Sequence, residues 1–135
     1  MAEEPIRAHV EETGESAFAV AIEVSGHALK GDEPVSAGGG NLGPAPYDML
    51  LASLGECTAM TVRWYARKQN WPLLKVEVKL TYHKDGRTDV FTKEIVIDGP
   101  DLSREQHAKL VEVAGKCPVQ RTLEGTPVIR TIHAT

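Results

Sequence analysis

Alternating apolar and polar residues mark the strands of this chain. Phe18, Val20, Ile22 and Val24 stand two apart, so they share one face of a strand, which Gly26 ends. Residues 6–12 alternate more weakly and read as a first strand, with a turn over Glu12 to Glu15 around Gly14. His27 to Lys30 read as a short third. Further along, Val76, Val78, Leu80 and Tyr82 alternate with Lys75, Glu77, Lys79 and Thr81, the pattern of a half-buried strand with its charges in water. A turn from Lys84 to Asp89, containing Asp85-Gly86, leads to a partner strand carrying Phe91, Lys93, Ile95 and Ile97. Val128 to Ile132 read as a closing strand.

The apolar spacing changes to three and four between Tyr47 and Gln69, which predicts one long helix without internal proline. Leu50, Leu54, Cys57, Met60, Thr61 and Trp64 define one face, with Leu51 and Val62 off it. The first half is apolar nearly all round, so burial on more than one side is expected. Pro44-Ala-Pro46 suits the helix entry, and Pro72 follows its end. Ser103 and Gln106 form a capping-box pattern that starts a second helix, running to about Gly115. Cys117-Pro118 opens a short third helix, to about Glu124. Residues 31–46, rich in Gly and Pro, form no regular element. Hairpin-linked strands rather than repeated β-α-β units indicate an α+β fold with a largely antiparallel sheet.

Composition narrows the picture. A length of 135 residues fits a single domain spanning 1–135. Aromatic residues make up only 5%, so little large-ring area is available to a lone core, which favours an oligomer that shares one. The net charge of −4 and the dispersed Lys and Arg residues argue against nucleic acid as a partner. The start, Met-Ala-Glu-Glu-Pro, lacks the apolar core of a signal peptide. The most apolar stretch, Met49 to Gly55, is too short to span a bilayer. A cytoplasmic protein with no membrane association is expected.

The candidate chemistry lies in two cysteines. In a cytosolic chain such a pair is more often reactive, metal-binding or merely buried than a structural disulfide. They are too far apart in sequence for a CxxC motif or a compact zinc ribbon. The five histidines show no ligand spacing, so no metal is expected. Cys57 sits mid-helix, where a cysteine is often just a small hydrophobe. Cys117 stands at a helix start, where backbone N–H groups, Lys116 and Arg121 would lower a thiol pKa. Local chemistry alone does not decide which thiol is the nucleophile. Gly38-Gly39-Gly40-Asn41-Leu42-Gly43 matches G-x-G-x-x-G, but no β-α-β unit follows and Pro44 and Pro46 remove donors a phosphate would need. It reads as a flexible loop. Asp48 and Glu56 would stand roughly 80° apart around a helix and about 12 Å along it, a poor carboxylate pair.

The segment from Pro46-Tyr47-Asp48-Met49-Leu50-Leu51 through Gly55-Glu56-Cys57-Thr58-Ala59-Met60-Thr61, together with Lys116-Cys117-Pro118-Val119-Gln120-Arg121-Thr122-Leu123, resembles the OsmC/Ohr family. Asp32-Glu33-Pro34, the Gly-rich loop and the Val76–Tyr82 strand fit as well. The resemblance implies an intertwined α+β homodimer, its sheet wrapped around a long buried central helix, with active sites at the subunit interface. It implies reduction of organic hydroperoxides without a bound cofactor. Cys57 would be the peroxidatic thiolate, and Cys117 would resolve its sulfenic acid as a disulfide. A dithiol such as lipoylated protein (dihydrolipoamide) would then reduce that disulfide. Family peroxidases hold the reactive thiolate with an early Arg and with a Glu ten residues before the first cysteine. Here that position is Tyr47, with Asp48 beside it, and the Pro-Tyr-acid-Leu-Leu pattern resembles a less characterised branch. Candidate activating groups are Tyr47, Asp48, Arg7, Lys30 and Arg121. Leu54, Met60 and Trp64 would make an apolar pocket suited to an organic peroxide. Two readings compete with a peroxidase: a weakly catalytic binding or redox-sensing protein on the same fold, and a protein whose cysteines are merely buried.

Overall fold

The computed structural model describes residues 4–134. The chain forms two compact units, divided between Leu50 and Leu51. The first holds an antiparallel meander of β1 (Ala8–Glu12), β2 (Val20–Val24) and β3 (His27–Gly31), in the order β1-β2-β3. Val20, Ile22 and Val24 are half-buried while Ala21 and Glu23 are exposed, as the alternation requires. Phe18 lies outside the strand and is exposed: β2 begins two residues later than its spacing suggested. Ser25 and Gly26 both have positive φ, 49° and 81°, which is the type I′ geometry that suits a tight hairpin between β2 and β3. A 3-10 turn at Val35–Ala37 interrupts the segment expected to be irregular throughout.

Helix α1 (Pro46–Gln69) begins at the end of this unit and continues into the second. Asn70, at φ 58°, stops it: the Trp71 amide reaches back to the Ala66 carbonyl at 2.8 Å, closing a Schellman-type cap. Arg63 then grips the outgoing chain, donating to the carbonyls of Leu73 at 2.8 Å and Leu74 at 3.1 Å.

In the second unit, β4 (Lys75–Asp85) and β5 (Thr88–Asp98) form a long antiparallel hairpin. Its turn is tighter than the sequence suggested. Asp85 pairs with Thr88, leaving only Gly86 and Arg87, and Gly86 alone has positive φ (62°), as in a type II′ turn. Helix α2 (Arg104–Ala114) opens with a complete capping box from Ser103 and Gln106. Helix α3 (Pro118–Glu124) opens with Cys117 as its N-cap and proline in its first turn. Val62, Ala66, Leu73, Leu110 and Ala114 make the core of this unit, flanked by Val76, Ile95, Ile97, Tyr65 and Trp71. Full burial of a side chain such as Leu110 contributes about 2 kcal/mol.

The buried stripe of α1 differs from the expected one. Leu54, Gly55, Thr58, Val62 and Ala66 face inward, whereas Met60 is 62% and Trp64 59% exposed. An apolar circumference does not reveal which side the hairpin covers. Gly55 does: its Cα lies so close to Leu80 of β4 that an added Cβ would stand 2.6 Å from Leu80 Cδ1. The expected closing strand is also absent. Among the described residues, 128–132 pair with no strand, and Val128, Ile129 and Ile132 are exposed. A run of β-branched residues favours extended backbone but does not supply the partner its backbone groups need.

Candidate active site

Three elements of the second unit converge on Cys117. From α3, the sulfur caps its own helix by accepting from the Gln120 amide at 3.4 Å. From α1, Thr58 Oγ1 lies 3.5 Å from the Cys117 sulfur and 2.8 Å from the Leu54 carbonyl. From β5, Lys93 Nζ donates to Thr58 Oγ1 at 3.0 Å and to the Ala114 carbonyl at 2.6 Å. Cys117 and Thr58 have no exposed surface, while Cys57, one residue before Thr58 on α1, is half-buried. Both cysteines are free thiols.

The electrostatics follow from this packing. Burial is the strongest single influence on Cys117 and opposes its thiolate. Hydrogen bonds from Thr58, the Gln120 amide and the Cys57 thiol outweigh it together with the charge of Lys93. The Cys117 pKa is held below the usual thiol value. Burial lowers the pKa of Lys93, and the negative charge of Cys117, Cys57 and Glu124 works against that effect. The arrangement sets two thiols of unequal exposure beside one half-buried ammonium group, which suits dithiol chemistry.

Lys93 was not among the expected cations, although the sequence carried a signal for it. It sits with Phe91, Ile95 and Ile97 on the half-buried face of β5, where a charge needs a partner. Lys116 turns instead to Glu112 at 3.1 Å. Arg121 is exposed and reaches Cys117 only through its backbone amide, which donates to the Cys117 carbonyl at 3.1 Å. Of the apolar candidates, Leu54 is buried and Met60 lies on the exposed side of α1.

The remaining candidates belong to the first unit. Tyr47 and Asp48 occupy the first turn of α1, where Asp48 Oδ2 accepts from the Ala45 amide at 2.9 Å and so caps the helix. Lys30 pairs with Glu15 at 2.8 Å. Arg7 precedes β1 and lines an open cleft with Ile6, His9 and Glu23.

The Gly-rich loop is not the flexible segment its composition suggested. Buried Asp32 accepts from both Gly40 and Leu42 amides, at 3.0 and 3.2 Å, from its neighbour Glu33 at 2.8 Å and from the Ser16 hydroxyl at 2.9 Å. Loop amides that a phosphate would need are already spent on a carboxylate. Burial acts to raise the Asp32 pKa, but the hydrogen bonds from Ser16, Leu42, Glu33 and Gly40 prevail and lower it. Among the described residues, no group of His, Cys, Asp and Glu is placed to hold a metal ion. No helix there is long and apolar enough to cross a membrane.

A mixed fold of antiparallel sheets and three helices, with a cysteine on the long helix and another capping a short one, defines a class of two-cysteine α+β proteins. Comparison with family profiles makes this specific: residues 38–132 match the profile described as OsmC-like protein, and the chain belongs to the OsmC family. Solved structures share the fold. The OsmC-like protein of Mycoplasma pneumoniae superposes with a TM-score of 0.75 at 16% identity, covering 92% of this chain and 90% of that one. The organic hydroperoxide resistance protein OhrB of Bacillus subtilis gives 0.61 at 20% identity, covering 90% and 92%. An organic hydroperoxide resistance protein OsmC from Legionella pneumophila gives 0.67 at 16%, covering 93% of each. A search of curated proteins finds no match.

Proposed function

We propose that this protein is a thiol-dependent peroxidase that reduces organic hydroperoxides. The observation that carries this reading is the pairing of a half-buried Cys57 with a buried Cys117 whose thiolate is favoured. The names of the Bacillus and Legionella relatives as hydroperoxide resistance proteins support it. In this reading the Cys57 thiolate attacks the distal peroxide oxygen. The O–O bond breaks, an S–O bond forms, and the alkoxide leaves to be protonated as alcohol. The Cys117 thiolate then attacks the Cys57 sulfenic acid, forming the S–S bond and releasing hydroxide. An external dithiol, such as a lipoylated protein in the reducing cytoplasm, returns both thiols by exchange. No bound cofactor is required.

The working form in this proposal is a homodimer. Two features of the isolated chain favour it: the exposed apolar side of α1 at Met60 and Trp64, and the exposed Val128, Ile129 and Ile132, whose segment joins no strand among the described residues. A second reading, a weakly catalytic sensor or binding protein, is favoured by the first turn of α1. Tyr47 stands where family peroxidases carry Glu, and Asp48 is engaged as a helix cap.

The test is consumption of cumene hydroperoxide with reduced lipoamide, run beside Cys57→Ser and Cys117→Ser. The peroxidase reading expects turnover to vanish in Cys57→Ser and Cys117→Ser to over-oxidise at Cys57. Absence of turnover in the wild type across several peroxides and dithiols would refute it in favour of the sensor reading.

A further inference from the structure

We propose that Thr58 and Lys93 are a positioning pair that sets the ionisation of Cys117, with the Thr58 hydroxyl as a rotor between two acceptors. The argument is a count of protons. Thr58 Oγ1 has one hydrogen and two lone pairs. Lys93 donates to one lone pair at 3.0 Å. Two acceptors compete for the hydrogen, the Leu54 carbonyl at 2.8 Å and the Cys117 sulfur at 3.5 Å.

When Cys117 is a thiol, the Thr58 hydrogen goes to Leu54 and the S–H donates to the free lone pair. When Cys117 is a thiolate, the hydroxyl turns about χ1-fixed Cβ–Oγ1 and donates to the sulfur. Leu54 O keeps its place in the helix, and Lys93 stays where it was. The two protonation states thus share one heavy-atom arrangement: the thiol proton leaves to solvent and the hydroxyl hydrogen turns into its place between oxygen and sulfur. Lys93 makes this possible because its donation to Ala114 and Thr58 holds the hydroxyl oxygen in place and leaves a positive charge behind it. The charged or titratable groups acting on the pair are Cys57 from α1, Glu124 from α3 and Lys93 itself from β5.

The consequence for the resolving step rests on the peroxidase reading. A Cys117 whose thiolate is favoured meets a Cys57 sulfenic acid with less need of a base. The ionisation itself does not rest on that reading, so it is tested without peroxide.

The experiment follows the 13Cβ chemical shift of Cys117 against pH in the reduced Cys57→Ser protein, which holds a single thiol. The same titration is run with Thr58→Val, Thr58→Ser, Lys93→Met and Lys93→Arg added. Thr58→Val keeps the side-chain shape and removes the rotor. Its Cys117 pKa should rise by about one unit, a tenfold loss of thiolate at a given pH. Thr58→Ser should restore the parent value, which a purely structural role would not predict. Lys93→Met should also raise the pKa, with Lys93→Arg intermediate. Equal titration curves for the parent, Thr58→Val and Thr58→Ser would overturn the proposal, and this comparison decides even where a Lys93 variant fails to fold. Peroxide turnover, measured separately with Cys57 present, tests the function: altered titration without wild-type turnover would leave the positioning pair standing and sink the peroxidase.

Discussion

Lys93 Nζ and the Ala114 carbonyl lie 2.6 Å apart, joining the middle of β5 to the last residue of α2. That carbonyl belongs to a helix end, where backbone acceptors lack intrahelical donors. A charged donor there stabilises the end of α2 as well as the site. Lys93→Met should therefore cost about 1.5–3 kcal/mol in urea unfolding of the reduced protein, the range for a hydrogen bond from a charged group. A loss below about 0.5 kcal/mol would show that the contact carries no net stability.

Cys117 gives stability a pH dependence of defined sign. Its thiol pKa is lowered on folding, so between the folded value and the ordinary unfolded value the unfolded chain binds more protons. Stability then rises with pH through that window. The contribution is complete above the unfolded thiol pKa and disappears as pH falls through the folded one. The stability difference between reduced wild type and Cys117→Ser should accordingly grow in favour of wild type from neutral to mildly alkaline pH. Urea titrations at several pH values check this, and a flat or inverted difference would contradict the electrostatics described for the site.

Asp32 anchors its loop by accepting from the Gly40 and Leu42 amides. Asp32→Asn turns half of the acceptor set into a donor facing N–H groups. Hydrogen exchange at Gly40 and Leu42 should accelerate about tenfold or more while the β4–β5 amides keep their protection. Because the hydrogen bonds lower the Asp32 pKa, the wild-type loop should keep its protection down to acidic pH and lose it only as pH falls through that lowered value. Unchanged exchange in the variant would show that the loop is held by other means.

Leu110 and Met60 separate the core of the chain from its proposed dimer face. Leu110 is fully buried, so Leu110→Ala should cost about 2–5 kcal/mol. Met60 is exposed, so Met60→Lys should change the stability of the isolated chain by less than about 0.5 kcal/mol. In sedimentation equilibrium the same Met60→Lys change, alone or with Trp64→Glu, should weaken self-association at least tenfold. A dimer indifferent to both would place its interface elsewhere.

Most of the secondary structure was legible because it rests on local rules. The capping box of α2, the proline after Cys117 and the alternation of β4 and β5 each state their element within a few residues. What remained hidden depends on partners distant in sequence. Thr58 looks like any helical threonine until Leu80 and the hairpin fix which side of α1 is covered. Lys93 stands in an apolar row, and alternation alone does not distinguish a side chain that snorkels to water from one that meets a buried thiol. Residues 128–132 have the pattern of a strand, but pairing is a property of two segments and only one is given by the pattern.

The Gly86–Arg87 turn supplies none of the groups around Cys117, yet it decides which side chain β5 presents there. It sets Leu80 opposite Lys93, and in a pleated ladder a slip of one residue exchanges the two faces of a strand. With such a slip, Thr92 or Glu94 would replace Lys93 on the inward side, a hydroxyl or a negative charge in place of an ammonium. An insertion or deletion in this surface loop is thus equivalent to rewriting a residue of the candidate site, because the length of the turn keeps that chemistry in phase.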